Sequence, residues 1–261
     1  MADSSFDRNS FGRMNRRAFI GGAASLGLAG TLPARAQAPR SNTSVPTFEP
    51  PSVLYAALTD GGHRLPAIPH DKINKKFLRQ VVIDPSLSKP GTIIVDANAK
   101  FLYFVVENGK AIRYGVSLGK AGFDWTGSAN IEYRKAWPVW TPPPEMIERK
   151  PELAKWANGM PPGPDSPLGA RALYLFKNGK DTMYRIHGTP EWSSIGKNAS
   201  SGCVRMLNQD VIDLFSRVSG PTPVHVYHSM YLGADMAGGG GGGRGGGAGR
   251  GGGGGGGGGG G

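Results

Sequence analysis

The sequence holds a single cysteine, Cys203, in 261 residues. With no second cysteine in the sequence it forms no disulfide within the chain, so its presence needs an explanation of its own. Acidic residues are scarce as well: 19 Asp and Glu stand against 30 Lys and Arg, a formal charge of +11. Apart from a mild Gly/Ala/Leu run ending at Leu32, no apolar stretch is long enough to span a bilayer. There is no Gly-x-Ser-x-Gly elbow, no phosphate-binding loop and no dinucleotide fingerprint. No nucleic-acid module accompanies the positive charge, so we expect no nucleic-acid partner. His225 and His228 are three apart, which on a strand puts them on opposite faces, and no Cys or carboxylate cluster joins them. We therefore expect no metal site.

The two ends have little to bury. From Gly238 to Gly261 every residue is glycine except Arg244, Ala248 and Arg250. Residues 230–261 read as a disordered Gly-rich tail, with too few arginines to bind RNA appreciably. At the other end, Arg16-Arg17 precede the weakly apolar run, and Ala34-Arg35-Ala36 offers a small-x-small cleavage site. This order resembles a twin-arginine export signal over residues 1–36, and implies a periplasmic protein. Without it the formal charge falls from +11 to about +8, still suited to an anionic polymer or membrane surface.

Between the ends, residues 37–63 read as a Pro/Ser-rich linker and 64–89 as a segment packing on the domain, with a strand over Phe77–Ile83. The domain proper is expected over 90–229. Thr92–Asp96 and Phe101–Val106 are strand-like, and Asn108-Gly109 predicts a hairpin onto Ala111–Val116. Further strands are expected at 130–135, 172–176, 183–187 and 223–227. Val211, Ile212, Leu214, Phe215 and Val218 recur at helical spacing, with Asn208 as the expected N-cap. The pattern predicts a mainly β sandwich of mixed strands with one helix after the Cys motif. Residues 137–169 are crowded with proline, with a short helix expected at Glu145–Ala157 that Pro151 interrupts. This long loop reads as a lid over the cleft, with Trp140 on its substrate side; the plainer reading is a packed surface loop.

The richest stretch runs from Tyr184 to Met206. A lone cysteine usually acts as a small hydrophobe. Here, however, glycines flank both Cys203 and His187, and a nearby imidazole with cationic side chains lowers a thiol pKa. His187-Gly188-Thr189, Ser194-Ile195-Gly196, Ser200-x-Gly202-Cys203-Val204-Arg205-Met206 and Asn208-x-Asp210 resemble the signature of the L,D-transpeptidase (YkuD-type) catalytic domain. Many members carry a second His before the Gly-Cys pair, where this chain has Ser201, leaving His187 as the only nearby base.

The resemblance implies a β-sandwich acyltransferase without cofactor. In it Cys203 attacks a peptidoglycan tetrapeptide stem, His187 carries protons, and the Gly188 carbonyl orients His187. The Gly202 backbone amide is the expected oxyanion donor, while Arg205, Ser201 and Trp140 contact substrate; for Arg205 a structural ion pair is the alternative. The thioester would pass to an amine of another stem, giving a 3→3 cross-link, or to a wall-anchored lipoprotein. Carbapenems would acylate Cys203. Two alternatives remain: an L,D-carboxypeptidase or cross-link hydrolase using the same Cys-His site, and a non-enzymatic wall-binding protein.

Overall fold

The computed structural model describes residues 41–119, 126–200 and 202–230. The export segment expected over 1–36, Ser201, and the tail beyond Met230 lie outside the described residues.

The first elements among the described residues are α1 (Pro51–Leu54) and the hairpin of β1 (Leu58–Asp60) with β2 (His63–Leu65). Among the described residues, regular structure thus lies inside the stretch expected to be linker. The reason is burial: Tyr55 and Leu65 are each 1% exposed, and each anchors an apolar cluster. Two 3-10 turns, His70–Lys72 and Lys75–Phe77, lead to β3 (Gln80–Ile83). The strand expected from Phe77 starts three residues late, because Phe77 and Leu78 turn inward to pack with Tyr55, Ile73 and Ile195.

A meander of β4 (Ile93–Asp96), β5 (Phe101–Val106) and β6 (Lys110–Gly119) follows. Asn108 and Gly109 both have positive φ, 59° and 64°, the turn that Asn-Gly favours. Next come β7 (Gly127–Ala136), α2 (Pro144–Arg149), a 3-10 turn at Pro151–Trp156, β8 (Arg171–Lys177) and β9 (Lys180–Thr189). The helix expected over Glu145–Ala157 breaks at Lys150, just before Pro151, whose ring cannot follow a helical residue. The last elements among the described residues are β10 (Asn198–Ser200), β11 (Val204–Leu207), α3 (Asn208–Arg217) and β12 (Thr222–Tyr227).

The fold is mainly β with mixed strands, as the sequence pattern predicts. From β6 the neighbours run β11, β9, β8, β7, β12, β4 and β5, and β5 pairs back onto β6, so the sheet closes on itself. β3 and β10 add to β6 from outside this circuit. Two pairs within the circuit are parallel, β9–β11 and β4–β12. Alternate residues point inward: Ile93 and Val95, Leu102 and Phe104, Leu173 and Leu175, Ile186, Val204 and Met206, Val224 and Val226 form one buried cluster. Val211 and Leu214 of α3, and Val218 at its C-cap, join it.

A candidate active site on the paired strands β9 and β11

The parallel pairing of β9 with β11 brings the two halves of the motif together. Val204 lies opposite Ile186 and Arg205 opposite His187. Ile186, Val204 and Met206 all point into the inner cluster. By strand alternation Arg185, His187 and Arg205 occupy the opposite face. Cys203 sits one residue before β11, level with Arg185 and diagonal to His187, on strands that run about 4.8 Å apart.

His187 is 5% exposed, and its Nδ1 lies 2.6 Å from the Gly188 carbonyl oxygen. A carbonyl can only accept, so Nδ1 carries the proton and Nε2 is left as the basic nitrogen. Burial holds the imidazole down to a pKa of about 4; the bond to Gly188 opposes this, and the charges of Arg205 and Arg185 reinforce it. His187 is therefore a neutral base at physiological pH.

Gly188 is itself wedged. A Cβ there would sit 2.3 Å from Asn208 Oδ1, and one on Gly169 only 2.2 Å from the same atom. The Asn208 side chain fills the space between these glycines: Oδ1 accepts from Ala170 N at 2.9 Å, and Nδ2 donates to Thr189 O at 3.2 Å. Asn208 was expected to cap α3. Instead Leu207 is the N-cap, no side chain caps the helix, and Asn208 is its first residue. Being 4% exposed, the amide is spent on backbone groups that would otherwise be buried unpaired.

Cys203 is half-buried. Burial pushes its thiol above the ordinary cysteine value, more than the Arg185 backbone amide and the charges of Arg185 and Arg205 pull it down. This departs from the sequence-based expectation of a thiol lowered toward neutrality, because desolvation outweighs the cations. At rest the pair is thus a neutral thiol beside a neutral imidazole. Gly202 has φ 133°, and a Cβ there would lie 3.4 Å from the Tyr184 ring, so glycine suits the turn that presents Cys203.

Arg205 Nη1 bonds Glu191 Oε2 at 3.0 Å across the loop between His187 and Cys203. The Glu191 side chain is 65% exposed, so the link is open to exchange with another carboxylate. Arg185 grips Asp181 with two bonds of 2.7 Å and stacks on Tyr174. Neither Glu191 nor Arg185 stood out in the sequence. The Arg185 backbone role follows from a register that sequence spacing does not reveal. Trp140 is half-buried and exchanges backbone bonds with Met160 at the neck of the Pro-rich loop. Trp137, at the same neck, adopts φ 47°, donates from Nε1 to Asp60 at 2.8 Å and stacks on His63. His225 Nδ1 lies 2.7 Å from Ser128 Oγ on the neighbouring strand. Among the described residues no group of His, Cys, Asp and Glu could hold a metal, and no helix is long and apolar enough to cross a membrane.

Comparison with known proteins bears on this arrangement. A crystal structure from Brucella melitensis, named as a carnitine operon oxidoreductase, is 47% identical and covers 58% of this chain and 94% of its own, with a TM-score of 0.42. A protein of Escherichia coli K12 named as an L,D-transpeptidase, YbiS, is 33% identical over 150 residues, which are 56% of this chain and 47% of that protein. The chain thus spans about half the length of YbiS. A Fuscovulum blasticum protein named as an L,D-transpeptidase of the ATP synthase subunits region is 33% identical over 143 residues, covering 54% of this chain and 71% of its own. The family model described as the L,D-transpeptidase catalytic domain, YkuD, matches residues 90–226, over half of the sequence and inclusive of His187 and Cys203, and the chain belongs to that family.

Proposed function

We propose that this protein is a periplasmic peptidoglycan L,D-transpeptidase with Cys203 as nucleophile and His187 as general base. The observation that carries the reading is the β9–β11 register, which sets Cys203 beside a buried His187 whose Nδ1 proton is committed to the Gly188 carbonyl. Nε2 takes the thiol proton as Sγ attacks the carbonyl of the diamino acid residue of a tetrapeptide stem. The oxyanion that forms is held by backbone amides at Gly202 and Cys203. The C–N bond to D-alanine breaks, His187 returns the proton to the leaving amine, and a thioester remains. An amine of a second stem, or of a wall-linked lipoprotein, attacks this thioester and loses its proton to Nε2. The thiolate then leaves and recovers that proton.

Both groups being neutral at rest supports proton transfer concerted with attack rather than a preformed thiolate. Arg205 is the proposed partner of a stem carboxylate, in exchange for the exposed Glu191. Ser201 and Trp140 remain proposed substrate contacts. The twin-arginine-like segment supports the periplasmic assignment.

The test is intact mass spectrometry of the protein incubated with disaccharide-tetrapeptide, or with a carbapenem, beside Cys203→Ala. A Cys203-dependent adduct and a cross-linked dimer are expected. Trimmed tripeptide alone would assign a hydrolase, and a folded protein that yields neither adduct nor product would overturn the enzyme reading.

A further inference from the structure

A groove of about 410 Å³ lies beside the loop that joins His187 to Cys203, and the mechanism makes no use of it. One wall comes from the 3-10 turns of the N-terminal segment, through Lys72, Asn74 and Phe77. The other comes from the loop, through Trp192, Ser193 and Lys197. Its charged lining residues are both lysines, and no carboxylate lines it. Two aromatic rings and two short polar side chains complete it.

The groove has a packed floor. Ile73 and Ile195 are buried beneath it, 8% and 7% exposed, in a cluster that Phe77 and Trp192 cover. A Cβ on Gly196 would meet the Phe77 ring at 2.4 Å, so ring and loop are in direct contact. Gly196 N donates to Val116 O at 2.9 Å, and Val116 pairs with Met206, three residues beyond Cys203. The same loop carries Glu191, the partner of Arg205. A molecule seated here rests against the backbone that connects base and nucleophile.

We infer that this groove is a binding subsite for the sugar-proximal part of a muropeptide, an amino sugar joined to a carboxylate-bearing peptide. The inference rests on the peptidoglycan reading above and adds to it a place for the part of the substrate remote from the scissile bond. Flat aromatic faces accept the C–H faces of a pyranose, Asn74 and Ser193 suit hydroxyl and acetamido groups, and Lys72 with Lys197 complements peptide carboxylates. A groove whose charged lining is two lysines, on a chain that keeps a formal charge of about +8 without its export segment, favours an acidic ligand. Binding energy gathered here would position the scissile peptide at Cys203.

The experiment measures binding of disaccharide-tetrapeptide to the full-length Cys203→Ala protein by calorimetry, so that no turnover is needed. Lys72→Gln/Lys197→Gln in that background is expected to weaken binding about fivefold at low salt and to flatten its salt dependence, as for two solvent-exposed ion pairs. Trp192→Leu is expected to weaken binding of disaccharide-tetrapeptide but not of the sugar-free tetrapeptide. Both lysines are exposed, so the double variant should unfold with the wild-type urea midpoint. Affinity within twofold of the parent in both variants overturns the subsite. Groove-dependent binding by a protein whose Cys203 is never acylated leaves the subsite standing and overturns the enzyme. Acylation without groove dependence does the reverse.

Discussion

At the scale of single residues, the site is set by what burial does to two titratable groups. Held down to about 4, His187 is neutral through the physiological range, and the Cys203 thiol is pushed up. Acylation by a carbapenem should therefore keep its rate as pH falls from 7 to 5, and drop on an acid limb near pH 4. Timed mass spectra across that range check this; a limb near 6.5, the ordinary imidazole value, would mean an exposed His187. Gly188 and Asn208 make the second residue-scale case. With a Cβ 2.3 Å from Asn208 Oδ1, Gly188→Ala must push aside either the Asn208 amide, which Ala170 N and Thr189 O hold, or the backbone whose carbonyl aims His187. Acylation should slow about 100-fold, the scale of an ångström-sized misplacement. Wild-type acylation kinetics in Gly188→Ala would sink this account of the glycine.

At the scale of elements, the question is what fastens the N-terminal hairpin to the closed sheet. Asp60 of β1 accepts from Trp137 Nε1 at 2.8 Å and from both Nη atoms of Arg171 on β8, at 2.7 and 2.8 Å. The Arg171 fork holds the Asp60 carboxyl below the usual carboxylate range, joined by the Trp137 bond and opposed by burial. Trp137 has a positive φ of 47°, held by its Nε1 bond to Asp60, its stacking on His63, its backbone bond to Ala170 and its burial against Leu65. Asp60→Ala should lower unfolding stability by about 2 kcal/mol, the scale of stranding two donors. Asp60→Asn should recover part of the loss. Urea midpoints give both values, and an unshifted midpoint in Asp60→Ala would show that the hairpin is held by its apolar contacts alone.

At the scale of the whole molecule, two buried groups oppose one another in pH. Burial raises Asp210 on α3 to about 7, although Arg79 and the Tyr55 hydroxyl lower it. Its stabilising contribution is complete below its unfolded pKa near 3.8 and is lost as pH rises through 7. His187 runs the other way: its contribution is complete above 6.5 and is lost as pH falls through 4. Each swing is on the order of a few kcal/mol over nearly the same interval, so the two should largely cancel. The carboxyls of Asp60, Asp181 and Asp213 are all lowered, which puts their loss below this window. The wild-type protein should show a nearly constant urea midpoint between pH 4.5 and 6.5. Asp210→Asn should become more stable as pH rises across that range, and His187→Gln less stable. Parallel slopes in the two variants would refute the compensation.

Much of this protein was legible from its residues in order. The meander around Asn108-Gly109, the helix after the Cys motif and the family resemblance rest on local patterns: alternation, helical spacing and a motif whose members lie close in sequence. Pro151 likewise announced the break after Arg149. What the sequence could not reveal depends on partners far along the chain. The N-terminal stretch read as linker because its Pro and Ser content has no periodicity, yet Tyr55 donates to Asp210 and Asp60 pairs with Arg171. Asn208 has the composition of a helix cap, and only the approach of Gly169 and Gly188 turned its amide inward. The thiol shift also belonged to the fold: sequence supplied the cations around Cys203, but tertiary packing decided how much water reaches it, and desolvation outweighed their charge.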